Sequence, residues 1–300
     1  MPKRLAFFTY PEWAFGAIHY GLCKELYKYG IDADVIDWTR NYTLEDFKDF
    51  NDLYDLFVTT PCTGLQGLIH NYKISPSKIV SIAHGIRDVR IGLEIKNDFN
   101  SLLKFAVISP SIKDYAIKAG ITKEIFVVRN GIHFNRFYRS IPDKLEILGY
   151  AGNLQHFNVR EGKDCKRRHL AVTLSHLTGL PLVNHDFMPF QKMPLYYRKV
   201  HSVVVSSDES EACGLPLMES AAAGRLPISA KIGILSEFDN PPGLILPLDE
   251  EGFISEGTER IKQLIGDPDK YRSLCKDAQD FARQNYDWSA VIEGWANLFI

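Results

Sequence analysis

Glu211 and Glu219 are separated by seven residues in the stretch Val203-Val204-Val205-Ser206-Ser207-Asp208-Glu209-Ser210-Glu211-Ala212-Cys213-Gly214-Leu215-Pro216-Leu217-Met218-Glu219, which runs on through an Ala-rich segment to Gly224. Backbone donors flanked by two carboxylates suit a ligand that carries both phosphates and hydroxyls. The β-branched run, the polar loop and the Gly-Leu-Pro step read as strand, loop and helix, with Pro216 in the first helical turn. The loop then lies at the carboxyl end of the strand, where open α/β sheets bind ligands, and the free N–H groups of the helix start face an anion there. Both carboxylates are expected to project into one cleft, Glu211 from the loop and Glu219 from near the end of the first helical turn. An ordinary exposed loop before a helix with Glu in its first turn, which the macrodipole favours, fits the same residues.

The pattern Ser-x₃-Glu-Ala-x-Gly-Leu-Pro-x-x-Glu-x₄-Gly, starting at Ser207, resembles the Glu-x₇-Glu signature of retaining glycosyltransferases of the GT-B fold, the family 4-like superfamily that includes glycogen synthase. The resemblance implies an α/β protein of two Rossmann-like domains facing each other across a cleft. It implies that Glu211 and the Gly214 and Leu215 amides meet the donor sugar, with Cys213 beside them, and that Glu219 holds the ribose hydroxyls of the nucleotide. The reaction implied is transfer of a sugar from a nucleotide diphosphate sugar to an acceptor hydroxyl, with retention at the anomeric carbon. The donor is a substrate, so no separate cofactor is expected, and no metal is expected where cations and helix amides carry the diphosphate charge.

The elements that must position these residues follow from apolar runs and breakers. In the first half, strands are predicted over 4–10, 31–37, 53–59, 78–83, 105–109 and 124–128, with helices over 17–29 and 111–119. Strand, glycine-bearing loop and helix at the start make a βαβ opening, from which parallel sheets are built. By resemblance Gly16, in the first loop, lets backbone approach the donor diphosphate; a plain turn glycine fits equally. His84 directly follows a strand and precedes Gly85, and it resembles the family's histidine that hydrogen-bonds the donor sugar, although a lone histidine among nine is as readily a core residue. Arg87 and Asp88 are expected to face the same cleft.

Arg129-Asn130-Gly131-Ile132-His133-x₃-Phe137 resembles the closing element of the family's first domain, with His133 in place of the usual Asp, and Asn-Gly signals a turn. Residues 138–144 are read as the linker. The expected domains are therefore residues 1–142 on the acceptor side, residues 143–285 on the nucleotide-sugar side, and a helix over 286–300 that packs back on the first domain and starts at Asp287 as its cap. In the second domain, strands are predicted over 145–152, 180–183, 226–229 and 244–246, and helices over 193–199, 254–264 and 268–284. Between them lies a basic stretch. The family shows Gly-Arg and Lys-Gly here; Asn153 stands where the Arg is expected and Lys166-Arg167 best matches Lys-Gly. Phosphate charge needs cations, so Lys166 and either Arg160 or Lys163 are expected to supply them, while Arg167 and Arg168 read as a solvated loop.

Composition excludes several classes. A chain of 300 residues with 45% hydrophobic and 24% charged residues is that of a globular protein. A net charge of −2 gives no global drive toward nucleic acid or anionic lipid. No Cys-x-x-Cys pair and no Gly-x₄-Gly-Lys-Ser/Thr loop occurs, which argues against a zinc ribbon and a P-loop enzyme. Five scattered cysteines point to a reduced compartment, and the start Met1-Pro2-Lys3-Arg4 reads without a leader, so the cytoplasm is the expected location. An acceptor glycan, a lipid-linked sugar, a small molecule and a modified nucleic-acid base all stay open as partners. Two other functions remain beside transfer: a nucleotide-sugar epimerase of the same architecture, and a non-catalytic nucleotide-sugar- or glycan-binding module.

Overall fold

The computed structural model describes residues 2–152, 164–185, 188–211 and 213–300. The chain divides into two compact units, Met1–Gly131 with Trp288–Ile300, and Ile132–Asp287.

The first unit alternates strands and helices: β1 (Lys3–Thr9), α1 (Trp13–Leu26), β2 (Ile31–Asp37), α2 (Leu44–Leu53), β3 (Leu56–Thr59), α3 (Thr63–Gln66), β4 (Ile79–Ala83), α4 (Ile86–Glu94), β5 (Lys104–Val107), α5 (Pro110–Lys118) and β6 (Ile125–Val127). The strands form one parallel sheet in the order β2-β1-β3-β4-β5-β6. β3 and β4 are buried at every position, as expected of parallel strands covered on both faces. The order reverses between β1 and β3, so the loops that follow them diverge at the carboxyl edge.

Three helices here, α2, α3 and α4, lie outside the sequence reading. α2 opens with a capping box in which Thr43 Oγ1 accepts from the Asp46 N–H at 3.1 Å and Asp46 Oδ2 accepts from the Thr43 N–H at 2.7 Å. α4 starts directly after His84-Gly85 and buries Val89 and Gly92.

The second unit contains α6 (Phe134–Phe137), β7 (Leu148–Tyr150), α7 (Arg168–Thr178), β8 (Leu182–Asn184), α8 (Met193–Tyr196), β9 (Ser202–Val205), α9 (Leu215–Ala222), β10 (Leu226–Ala230), β11 (Leu244–Leu246), α10 (Glu250–Gly266) and α11 (Pro268–Asn285). Its parallel sheet has the order β11-β10-β9-β7-β8. The reversal falls between β7 and β9, which places the loop after β9 at the switch point where such sheets bind ligands. Leu148, Tyr150, Leu170, Val204, Ile228 and Phe253 lie in one apolar core beneath it.

The division falls earlier than the expected boundary at 142/143. Residues 132–142 belong to the second unit because its side chains claim their backbone: buried Arg225 donates to the Ser140 carbonyl at 2.8 Å and Gln279 to the Arg139 carbonyl at 2.9 Å. Asp287 Oδ1 accepts from the Phe134 N–H at 3.0 Å, so this carboxylate holds the start of α6.

The last helix, α12 (Trp288–Phe299), belongs to the first unit. Its buried face carries Trp288, Ile292, Trp295 and Phe299, with Phe299 edge-on to Phe7 at 5.9 Å between centroids. Trp295 Nε1 donates to the Arg129 carbonyl at 2.6 Å, and the last carbonyls take Lys3 and Lys104. Lysines at a helix C-terminus satisfy orphan acceptors and complement the dipole. Gly131 is not left-handed; it is small because a Cβ there would lie 2.7 Å from the Trp288 ring. Close approach, and not an Asn-Gly turn, explains that glycine.

Candidate functional site

In the second unit the expected strand, loop and helix are β9, residues 206–214 and α9. Gly214 adopts φ +72° at the N-cap, a conformation that favours glycine, and a Cβ there would also meet Leu217 Cδ1 at 2.8 Å. Pro216 follows in the first turn and donates no N–H. The Leu217 N–H is bonded to the Gly214 carbonyl at 2.8 Å, so the helix start offers fewer amides to an anion than the sequence reading assumes.

Glu211 gathers what remains. Its Oε1 accepts from the Gly214 N–H at 3.1 Å, and its Oε2 accepts from Lys166 Nζ at 2.5 Å and Ser207 Oγ at 2.9 Å. Burial pushes the carboxyl up, but the Lys166 charge together with hydrogen bonds from Lys166, Ser207 and the Cys213 backbone outweighs it and holds Glu211 below its ordinary range. Burial lowers Lys166 in turn, and the Glu211 charge more than restores it. Both groups are therefore ionised at neutral pH.

Lys166 reaches Glu211 because the loop before α7 is sewn to the loop after β9. Arg167, left-handed at φ 44°, is buried and donates to the carbonyls of Ser206 at 2.7 Å, Ser207 at 2.9 Å and Leu248 at 2.8 Å. Ser206 Oγ returns a bond to the Lys166 carbonyl at 2.9 Å, and Asp164 Oδ1 accepts from the Lys166 N–H at 3.0 Å. The expected solvated loop is thus wrong for Arg167: three inward carbonyls converge on one planar donor group, which no local pattern announces. Asn153, Arg160 and Lys163 lie outside the described residues.

Glu219 has different partners. It sits 5% exposed within α9, where its Oε2 accepts from the Tyr197 hydroxyl at 2.7 Å. Burial pushes its carboxyl up to about 7, against the Tyr197 hydrogen bond and the Arg136 charge. Because that value exceeds the ordinary 4.5, the group favours folding most at acid pH and loses that contribution as pH rises through about 7. Leu215 is the first residue of α9, and Cys213 places its sulfur 3.7 Å from Met218 Sδ.

In the first unit, His84 follows β4 as expected. Its ring stands edge-on to Phe15 at 5.1 Å and to His19 at 5.5 Å between centroids. Both ring nitrogens are buried and have no hydrogen-bond partner among the described residues, and burial pulls the imidazole down to about 4, leaving it neutral. His19, which nothing in the sequence singled out, lies on α1 with Nδ1 3.2 Å from Thr9 Oγ1, and burial and then His84 hold it well below its ordinary value. Asp88 turns back to accept the His84 N–H at 2.7 Å and is raised to about 6 by burial, whereas Arg87 is exposed. Gly16 is a correction: it lies inside the first turn of α1, and its N–H is spent on the Glu12 carbonyl at 2.9 Å. The helix starts at Trp13, four residues before the periodicity shows it, so no glycine loop precedes it.

Among the described residues no group of three His, Cys, Asp or Glu is arranged to hold a metal ion, and no helix is long and apolar enough to cross a membrane.

No family model matches the chain, and no curated protein matches it. Solved structures do. The chain is similar to sucrose-phosphate synthase from Thermosynechococcus elongatus, with 15% identity, 99% of this chain and 98% of that one covered, and a TM-score of 0.70. It is similar to Anabaena HepE in complex with UDP and glucose, at 15% identity, 99% coverage of both chains and a TM-score of 0.72. AviGT4, a glycosyltransferase of avilamycin A biosynthesis, gives 12% identity, 99% and 97% coverage and a TM-score of 0.63. The fold is accordingly GT-B, two Rossmann-like α/β domains with parallel sheets of six and five strands.

Proposed function

We propose that this GT-B chain is a retaining glycosyltransferase that moves a sugar from a nucleotide diphosphate sugar to an acceptor hydroxyl. The observation that carries the reading is the Lys166–Glu211 pair, tied to the Gly214 amide in the loop at the switch point of the second sheet. The likeness to HepE, solved with UDP and with UDP-glucose, supports a uridine diphosphate donor.

In the reaction the bond from the anomeric carbon to the diphosphate oxygen breaks while a bond to the acceptor oxygen forms on the same face, and the acceptor proton passes to the departing phosphate. Lys166 serves the diphosphate as its charge develops, and fixed charge in a buried loop costs no reorganisation at that moment. Glu211 and His84 hold the sugar for attack. Glu219 accepts from the ribose hydroxyls. With Lys166 on the diphosphate, transfer proceeds without a divalent cation. The acceptor side falls to the first unit.

A thermal-shift panel of UDP, GDP, ADP, CMP and their sugar conjugates tests the reading. One nucleotide family should raise the wild-type midpoint by the equivalent of about 2.7 kcal/mol at a hundred times its Kd, and Glu219→Ala should abolish the shift. No shift with any of them removes the proposal; conversion of the donor sugar without acceptor would make the chain an epimerase.

Affinity should also depend on pH. Glu219 loses its proton near 7, and the charged form is the better acceptor for two hydroxyls. Diphosphate affinity is therefore expected to rise up to about tenfold between about pH 6 and pH 8. Glu219→Gln should flatten the profile, and a flat wild-type profile in titration calorimetry would remove the ribose assignment.

A further inference from the structure

We infer that Tyr197 is the positioning residue for Glu219, fixing one carboxylate oxygen so that the other is aimed at a vicinal diol of the bound nucleotide. The inference rests on the nucleotide-sugar reading of this site. The Tyr197 hydroxyl donates to Glu219 Oε2 at 2.7 Å, while Oε1 has no hydrogen-bond partner among the described residues. A buried carboxylate with one oxygen held and the other unclaimed is directional: its remaining lone pairs point one way. A diol, with two adjacent donors, is the ligand group that matches them.

Tyr197 is itself held from three sides. Its ring meets Phe137 at 5.8 Å and Tyr196 at 5.2 Å between centroids, both near edge-on, and it is fully buried. Its carbonyl accepts from Arg225 Nε at 2.7 Å, and Arg225 also donates to the carbonyls of Ser140 and Ala223. The hydroxyl is thus the end of a rigid arm that reaches from the turn after α8 to the second turn of α9. Among the described residues no cation is hydrogen-bonded to Glu219, and Arg136 acts on it through its charge. A neutral donor suits a residue that must release no ion pair before it binds.

The test compares UDP, GDP and ADP with their 2′-deoxy counterparts by titration calorimetry on the whole chain, as wild type, Tyr197→Phe and Glu219→Ala. Phenylalanine fills the same space but leaves the buried Glu219 carboxyl without its donor, so the fold should be kept with the melting midpoint modestly lowered. Wild type should bind one ribonucleotide at least tenfold more tightly than its 2′-deoxy form. In Tyr197→Phe the ribonucleotide should weaken about tenfold while the 2′-deoxy form changes less than twofold, so that the discrimination collapses; a merely structural role would weaken both alike. Undiminished discrimination in Tyr197→Phe, with discrimination lost in Glu219→Ala, overturns the inference and leaves the nucleotide reading standing. Binding of none of the three ribonucleotides by wild type overturns both.

Discussion

Lys166→Met is expected to lower turnover about a hundred- to a thousandfold and to destabilise the second unit at the same time. The methionine keeps the apolar stem but removes the charge that faces Glu211 at 2.5 Å. Glu211 is then left with Ser207 and backbone amides alone, in a site where burial pushes its carboxyl up. Orphaning a buried charge costs about 3–5 kcal/mol, and about 2–3 kcal/mol is expected here because the Lys166 side chain keeps 28% of its exposure. Loss of a preorganised charge at a developing anion accounts for the rate. Urea unfolding at neutral pH and single-turnover kinetics read the two effects separately. A variant with wild-type turnover would remove Lys166 from the diphosphate, whatever its stability.

His84→Phe should move stability and activity in opposite directions. Two buried ring nitrogens without a partner among the described residues are a cost to the folded chain, and replacing them with carbon is expected to raise stability by about 1–2 kcal/mol. The neighbouring rings of Phe15 and His19 accept an aromatic edge equally well. Turnover should fall about a hundredfold with donor affinity little changed, because a group that places the reacting sugar acts on rate more than on binding. Stopped assays at saturating donor, alongside melting curves, decide it; an active, stabilised variant would make His84 a core residue and no more.

The residues that carry the candidate site were legible where local chemistry dictates geometry. Gly214 with Pro216 two positions on marks a helix start, and β-branched Val203–Val205 mark the strand that feeds it. The six-strand and five-strand sheets follow from alternating apolar runs and helical periods. What stayed hidden depends on groups distant in sequence. Arg167 reads as one more cation in a basic loop until the carbonyls of Ser206, Ser207 and Leu248 surround it. Tyr197 carries no periodic signal, since its importance lies in one hydroxyl that meets a helix 22 residues on. Gly16 was misplaced because α1 begins before its apolar stripe does, and the division between units was displaced because Arg225 and Gln279 bind residues 139–140 from far downstream.

The membership of α12 in the first unit sets a schedule for synthesis. A ribosome delivers Met1–Gly131 and then the whole of Ile132–Asp287 before the helix that covers Phe7 and Gly131 emerges. At about 5–20 residues per second that interval is about 8–30 s, long compared with the folding of most domains of this size. Throughout it the nascent first unit shows water the apolar trough meant for Trp288, Ile292, Trp295 and Phe299. The second unit can finish first, and the half made earlier is completed last, so chaperone dependence should concentrate on the N-terminal half of the chain.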